Sequence, residues 1–259
     1  MTSDANSSSS DQAAPLTGLP LFYKDLQPIN RTDHARSALK RNIGYGFTRE
    51  ANAIPVSAAE MAKASQCYPV VFSADEAAFP IVVLGLRDQE NLFVDANGGW
   101  IDGMYVPAYV RRYPFLLSTA PDTDQLLLCV DDPENTLVQD GEQRFFDDGG
   151  EPTPLARSVM DFCQACKAAG DQTTAFIQAL KQAGVLRRHQ VEIALPAGDR
   201  RFQFSGYQVI DQEKLAALDD ATFLEWRRNG WLTFVYAHLL SEPNWQRLAN
   251  LLNARLGAS

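Results

Sequence analysis

Residues 91–117, NLFVDANGGWIDGMYVPAYVRRYPFLL, combine a short apolar run, a glycine pair, two prolines and an arginine pair with six aromatic rings. The apolar run at 92–94 predicts a short buried strand, and the turn-forming residues at 95–99 predict its end. Pro107 and Pro114 exclude a long helix through the aromatic part, because proline lacks a backbone N–H and clashes with the preceding helical turn. The stretch is therefore predicted to be an irregular connection with a high density of rings and positive charge.

Apolar runs rich in β-branched residues lie on both sides of this stretch. The runs at 68–73 and 79–86 are separated by a short polar segment, which predicts an antiparallel hairpin. The strand predicted at 92–94 is expected to extend the same sheet. A further run at 125–130 predicts another buried strand.

Two shorter signals precede the hairpin. Residues 41–48, RNIGYGFT, have alternating apolar positions and predict a strand. Ser57 and Glu60 have the spacing of a capping box, in which each side chain bonds to the backbone at the other position. They predict the start of a short helix.

The chain changes character after residue 150. Apolar residues fall at helical spacing from Leu155 to Leu180 and predict a helical hairpin that ends at Gly184. Two alternating segments, 191–195 and 202–210, predict strands, and amphipathic helical segments follow them to the C-terminus. Mostly strands followed by mostly helices favour an α+β fold with mainly antiparallel sheet over a doubly wound parallel fold.

Composition limits the domain organisation and the class of partner. With 259 residues and 46% hydrophobic composition, the chain can bury a self-sufficient core. We predict a disordered tail at 1–18 and one α+β domain at 19–259, which is β-rich at 19–150 and helix-rich at 151–259. The net charge of -9 argues against nucleic acid as a partner. No apolar run approaches the ~20 residues of a membrane span, so membrane insertion is not expected.

Residue types that carry catalysis or bind metals are present without a recognisable arrangement. The sequence has no G-x-S-x-G elbow, and its glycine pairs lack the lysine of a phosphate-binding loop. The three histidines, His34, His189 and His238, do not form a pair at metal-ligand spacing. The acidic pairs at 131–132 and 147–148 are interpreted as solvated turns. We predict no catalytic residue, no metal and no cofactor.

Cysteine usage and the N-terminus suggest a location. Cys163 and Cys166 have C-x-x-C spacing, but they lie within a helical pattern, where buried reduced thiols are expected instead of a redox pair. Reduced thiols indicate a reducing compartment. Residues 1–15 carry neither the basic nor the apolar region of a secretory signal. The expected location is therefore the cytoplasm.

The aromatic stretch supports two interpretations, and the sequence leaves both open. In the first, Trp100, Tyr105 and Phe115 pack in the core, as large aromatic residues usually do, and the arginines lie outside. In the second, Arg111 and Arg112, framed by aromatic rings, grip a carboxylate or phosphate group. The candidate ligand-binding residues are Trp100, Tyr105, Tyr109, Arg111, Arg112 and Tyr113. The partner would be an unidentified protein or a small anionic ligand.

Several of these segments resemble the bacterial SapC family. The resemblance rests on YPVVF at 68, GLRDQENLFVD at 85, WIDGMYVPAYVRRYPF at 100 and the C-terminal FLEWRRNGWLTFVYAHLLSEPNWQRL, and it extends from about residue 19 onwards. It implies an association with a surface layer, and a setting near outer-membrane receptor genes in some bacteria. It transfers no catalytic residue and no cofactor. The family therefore also allows a location at the cell surface.

Three functional hypotheses follow. The first is a non-enzymatic binding or accessory protein, linked to cell-surface or outer-membrane uptake, whose recognition surface is the aromatic and arginine cluster. The second is a structural component of a surface layer. The third is an enzyme that uses Asp95 or Asp102 beside Arg112 in a pocket between the two halves.

Overall fold

The computed structural model describes residues 19–120, 123, 125–132, 136–196 and 200–257. The tail predicted at 1–18 lies outside these residues. Within them the chain forms ten strands and seven α-helices. The strands are β1 (Leu26–Pro28), β2 (Ser37–Leu39), β3 (Ala53–Pro55), β4 (Val70–Ser73), β5 (Pro80–Val83), β6 (Phe115–Thr119), β7 (Leu126–Asp131), β8 (Leu137–Gln139), β9 (Leu186–Ala194) and β10 (Arg201–Ile210). The helices are α1 (Met61–Ala64), α2 (Ala108–Arg112), α3 (Pro154–Gln182), α4 (Gln212–Ala216), α5 (Asp220–Arg228), α6 (Trp231–Leu240) and α7 (Asn244–Gly257).

Every strand pairing in the described residues is antiparallel, and strands dominate the first half while helices dominate the second. The largest sheet has the order β3-β5-β4-β10-β9, a second has the order β1-β7-β6, and β2 pairs with β8. The α+β prediction is confirmed. Because β10 pairs with β4, the C-terminal hairpin completes a sheet that begins in the N-terminal half.

The strands predicted from β-branched runs are confirmed. The hairpin at 68–73 and 79–86 forms β4 and β5, with Val71 opposite Ile81. The run at 125–130 forms β7, and the two alternating segments after residue 190 form β9 and β10. Most apolar side chains of β4 and β5 are buried, and most of those of β9 and β10 are buried or partly buried, as the apolar and alternating patterns predict.

The strand predicted at 41–48 is wrong, and its place is taken by a bend and a 3₁₀ turn at Gly46–Thr48. The bend lies against the glycine pair of the aromatic stretch, where the Tyr45 N–H donates to the Gly98 carbonyl at 2.7 Å. Gly98 has a φ of +82°, and a Cβ added to it would lie 3.2 Å from the Gly46 nitrogen. The alternating pattern therefore reflects a close backbone contact, which glycine permits because it has no side chain.

Residues 92–94 do not extend the sheet as a third strand. They are buried as predicted, but Leu92 gives one hydrogen bond to Leu84 at 2.8 Å, and Val94 forms a single bridge with Trp100. The turn at 95–99 is confirmed, since the Asp95 carboxylate accepts from the Asn97 and Gly99 N–H groups at 2.8 Å each. This tight turn leads the chain away before a ladder can form.

The helical hairpin predicted after residue 154 is wrong, because α3 runs continuously through 29 residues. Its one internal glycine, Gly170, adopts no positive φ, and a helical glycine costs only about 1 kcal/mol relative to alanine. Gly184 is confirmed as the stop, with a φ of +63°. The helix is long because it serves two cores: Phe176, Ile177 and Leu180 join the larger one, and Ala156 and Cys163 join the smaller one beside Phe115 and Phe145.

The pairing of β4 with β10 is held by a buried histidine on α6. His238 is 6% exposed. Its Nε2 accepts from the Ile210 N–H at 3.1 Å, and its Nδ1 lies 2.6 Å from the Val70 carbonyl, to which it donates. Both contacts require a neutral ring, and burial lowers the pKa of His238 to about 4.

This histidine makes stability depend on pH. Above pH 6.5, the ordinary pKa of the ring, His238 is neutral in the folded and unfolded states. Below it the unfolded chain binds a proton that the folded chain does not, so stability falls until about pH 4. We expect a loss of about 2 kcal/mol between pH 7.5 and pH 5, measured by urea unfolding. His238→Gln keeps one donor and one acceptor and should remove this part of the slope; an unchanged slope would contradict the assignment.

Candidate functional site

The Glu60 carboxylate joins the predicted capping box to the aromatic stretch. The capping box is confirmed, because Glu60 Oε2 accepts from the Ser57 N–H at 3.0 Å and from its hydroxyl at 2.8 Å. Oε1 accepts from the Tyr105 hydroxyl at 2.8 Å and from the Ala108 N–H at 2.6 Å. Glu60 therefore caps a second helix, since the Ala108 N–H is the first of α2.

A cleft of about 570 Å³ opens beside this carboxylate. Its walls are the segment before α1, the helix α2 and the middle of α3. Most of its lining is apolar or small, and the lining residues are Pro55, Val56, Ser57, Ala59, Glu60, Lys63, Phe79, Tyr105, Ala108, Tyr109, Arg112, Phe162, Ala165, Cys166, Ala169 and Gly170. The cleft exists because α3 presents alanines and a glycine here, where larger side chains would fill the space.

Arg112 supplies positive charge to the cleft. Its guanidinium carbon lies 5.0 Å from the centre of the Tyr109 ring and 5.8 Å from that of Tyr23, and its Nε donates to the Tyr23 hydroxyl at 3.3 Å. Within the described residues it forms no ion pair. The cation is thus held by rings, and its terminal nitrogens remain available to an anion.

Arg111 lies beside the cleft without lining it. Its guanidinium carbon is 5.1 Å from the centre of the Phe162 ring on α3 and 5.8 Å from that of Tyr105. Its Nε donates to the Val106 carbonyl at 3.1 Å. The side chain therefore closes one edge of the wall between α2 and α3 and adds to its positive potential.

Two of the six candidate residues are buried away from the cleft. Trp100 is 8% exposed, and its Nε1 donates to the Tyr68 hydroxyl at 3.0 Å. Tyr113 is 9% exposed; it stacks on Phe47 and donates its hydroxyl to Asp131 at 3.1 Å. The structure brings Tyr105, Tyr109 and Arg112 together at the cleft, places Arg111 at its edge, and places Trp100 and Tyr113 in the core. A binding role for any of them stays a prediction.

Asp131 departs from the solvated turn predicted for the pair at 131–132. It is fully buried and accepts from the backbone N–H groups of Lys24 and Asp25 at 2.8 and 2.6 Å. The carboxylate ties the segment before β1 to the end of β7 and also anchors Tyr113. The sequence could not show this burial, because the two backbone donors lie more than a hundred positions away.

Three groups that shape the site were missed from the sequence. Tyr23 reaches the site from the N-terminal segment, and Phe162 reaches it from α3. For Glu60 the sequence indicates only the capping box. The capping-box spacing was the one usable signal, because the other contacts join distant parts of the chain.

Of the C-x-x-C cysteines, Cys166 lines the cleft and Cys163 lies in the smaller core, and all four thiols of the chain are free. Burial raises the pKa of Cys163 to about 11, and burial also raises the pKa of Cys166, which lines the cleft. Both thiols are therefore protonated at neutral pH, the form that is a poor nucleophile.

The described part of the chain offers no metal site and no acid in the cleft from the pair Asp95 and Asp102. No group of three His, Cys, Asp or Glu side chains there could hold a metal ion. Asp95 and Asp102 are exposed and do not line the cleft, and Asp95 is engaged in its own turn. Among the described helices, none has the length and apolar character needed to cross a bilayer.

Comparison with known proteins gives one result. A family model described as SapC matches residues 29–248, which is most of the chain. The matched range contains every residue that lines the cleft. No curated protein and no solved structure matches the chain.

Because Glu60 accepts four hydrogen bonds, we predict that removing its charge lowers the stability of the fold. Glu60→Gln places an amide NH₂ where an oxygen accepts from two donors, so we expect the free energy of unfolding to fall by about 2 kcal/mol. Tyr105→Phe removes one of the four bonds to Glu60, together with a longer bond from Arg111 at 3.3 Å, and leaves the carboxylate in place, so it should cost less. Glu225→Gln changes an exposed glutamate on α5 and serves as the control. Chemical denaturation measures all three, and equal stability of Glu60→Gln and the control would contradict the assignment.

Proposed function

The chain belongs to the SapC family, and on that premise we propose that it is a non-enzymatic binding protein whose cleft takes a small amphipathic anion. One observation carries the proposal: a largely apolar cleft of about 570 Å³ is lined by a guanidinium that no carboxylate of the described residues neutralises. An accessory role in cell-surface or outer-membrane uptake belongs to the same proposal and is supported by family membership.

The size and lining of the cleft favour a small molecule. Ligand pockets in proteins commonly measure about 300–1,000 Å³ and combine apolar walls with a few polar groups that fix orientation. Phe79, Tyr109 and Phe162 supply large apolar surfaces here, and the alanines of α3 leave room beside them. An acyl chain or a similar apolar body fits these walls.

The charges favour an anionic head group. Arg112 and Lys63 line the cleft, and Arg111 lies at its edge. The opposing charge of Glu60 is taken up by four hydrogen-bond donors of the protein itself. A carboxylate of the ligand can bond to the terminal nitrogens of Arg112, which the Tyr109 ring holds in position.

The ionisable groups of the cleft favour a binding function over a catalytic one. Cys166 has a raised pKa, and the Tyr105 pKa is raised to about 12, first by burial and then by Glu60. Both groups stay protonated at neutral pH. Glu60 has its oxygens occupied, so it is poorly placed to act as a general base.

Isothermal titration with sodium octanoate, and with 1-octanol as the uncharged comparator, tests the proposal. We expect Arg112→Gln to lower the affinity for octanoate about tenfold or more, because the substitution removes a charge-assisted hydrogen bond. The affinity for octanol should not change. Arg228→Gln, an exposed arginine on α5, is the matched control. Circular dichroism confirms that each variant is folded.

A second pair of variants locates the ligand. A Cβ added to Gly170 meets nothing within 4 Å, so Gly170→Leu extends into the cleft and should abolish binding of both probes. Leucine favours helix more than glycine does, so the variant should fold at least as well as the parent. Ala168→Leu, on the exposed side of α3, is the control. The proposal is overturned if octanoate does not bind the parent protein. It is also overturned if octanoate binds Gly170→Leu or Arg112→Gln with the affinity of the parent.

A further inference from the structure

A second cavity lies between the large sheet and α6, beside a distortion in the β9–β10 hairpin. The register of the two strands shifts between Phe204 and Tyr207. Gly206 has a φ of +80° at this point, which permits a bulge that re-aims the next side chain. Tyr207 consequently turns inward, where its ring lies 5.8 Å from the rings of His189 and Trp245.

The hydroxyl of Tyr207 is buried without a protein partner. The residue is 1% exposed, and among the described residues no group forms a hydrogen bond with this oxygen. Burial raises the pKa of Tyr207 to about 12, so the group is a neutral hydroxyl that can both donate and accept. Buried polar groups nearly always have a partner, and this one faces a cavity.

The cavity has a volume of about 120 Å³. The share of liquid volume that belongs to one water molecule is about 30 Å³, so the space suits roughly four waters or one molecule of comparable size. Its polar lining comes from Arg187 and His189 on β9, Tyr207 on β10, Gln212 on α4, His238 on α6, and Ser241 and Glu242 after α6. His238 and Ser241 are already bonded to the backbone of Val70. Arg187, Gln212 and Glu242 are exposed, whereas Tyr207 lies inside.

The two full charges in this lining do not neutralise each other. Arg187 and Glu242 form no ion pair with one another within the described residues, and the Arg187 Nε lies 3.7 Å from Asp211 Oδ2 instead. Burial and the charge of Arg187 lower the pKa of His189. Its neutral ring accepts from Arg187 through Nδ1 at 3.2 Å, which leaves Nε2 as a donor.

We infer that this cavity binds a small zwitterionic α-amino acid of the size of glycine or alanine. Arg187 and Glu242 line one cavity without pairing with each other, and their charges match the carboxylate and ammonium ends of such a molecule. The ligand carboxylate would accept from Arg187 and the Tyr207 hydroxyl, and the ammonium group would donate to Glu242. This site is separate from the cleft on α3, and its test does not depend on the function proposed for that cleft.

Calorimetric titration with glycine and alanine tests the inference. Sodium acetate and methylammonium chloride, which each carry one of the two charges, are the comparators. We expect both amino acids to bind, and both comparators to bind at least tenfold more weakly. Leucine should bind weakly as well, because its side chain exceeds the cavity.

Tyr207→Phe gives the sharpest variant. It removes the unpartnered hydroxyl while keeping the ring, so the free protein should be as stable as the parent or more so, and glycine should bind about fivefold more weakly. Arg187→Gln and Glu242→Gln should each lower the affinity for glycine more than Tyr207→Phe does. Arg188→Gln is the matched control, because adjacent residues of a strand point to opposite faces and Arg188 does not line this cavity.

Three results would overturn the inference. The first is that neither glycine nor alanine binds at millimolar concentration. If Tyr207→Phe is also less stable than the parent, the partner of the Tyr207 hydroxyl is a bound water molecule. Another is acetate binding as tightly as glycine, which would leave Glu242 without a role. The third is an equal glycine affinity of Tyr207→Phe and the parent.

Discussion

The Glu60 carboxylate accepts four hydrogen bonds, and the cleft depends on them. Two bonds close the 3₁₀ turn in front of α1, and two hold Tyr105 and the first N–H of α2. A charged acceptor gives stronger bonds than a neutral one, so the carboxylate fixes two segments that are nearly fifty residues apart. The carboxylate thereby helps to set the position of α2, and with it that of Arg112, relative to the first wall.

The opposite wall is fixed by a different means, since α3 is anchored at both ends by separate cores. Phe176 and Leu180 belong to the larger core, and Cys163 belongs to the smaller one. Between these anchors the Thr173 hydroxyl accepts from the Ala58 N–H at 2.8 Å, which joins the helix to the Glu60 turn. The helix can therefore present small residues towards the cleft without collapsing onto the facing segment, because its position is set elsewhere.

Local patterns predicted those parts of the fold whose contacts are close in sequence. The β4–β5 hairpin and the Ser57–Glu60 box each need only a few neighbouring residues, and both were found. The sequence does not show that α3 is continuous. Apolar residues recur at the same helical spacing in one long helix that contacts two cores and in two short helices that contact a single core. The bend at 41–48 was missed because its shape comes from the backbone of Gly98, some fifty residues later.

The same limit applies to the site. The sequence indicated an arginine among rings, and Arg112 has two rings beside it, but one of them belongs to Tyr23, which no local pattern connects to residue 112. Nor could the sequence divide the rings between core and cleft: Trp100 and Tyr113 are buried, whereas Tyr105 and Tyr109 line the opening.

The chain has a net charge of -9, so acidic side chains are abundant, yet none of those that the structure describes forms an ion pair with Arg112. An ion pair with Arg112 would bring in a charge that competes with any ligand, whereas the Tyr23 and Tyr109 rings stabilise the cation and leave its outer nitrogens unbonded. Stacking also restricts the long side chain before a ligand arrives, which lowers the entropy lost on binding. The aromatic residues of the 91–117 stretch thus have two roles. Trp100 and Tyr113 pack in the core, and Tyr109 orients the Arg112 cation at the cleft.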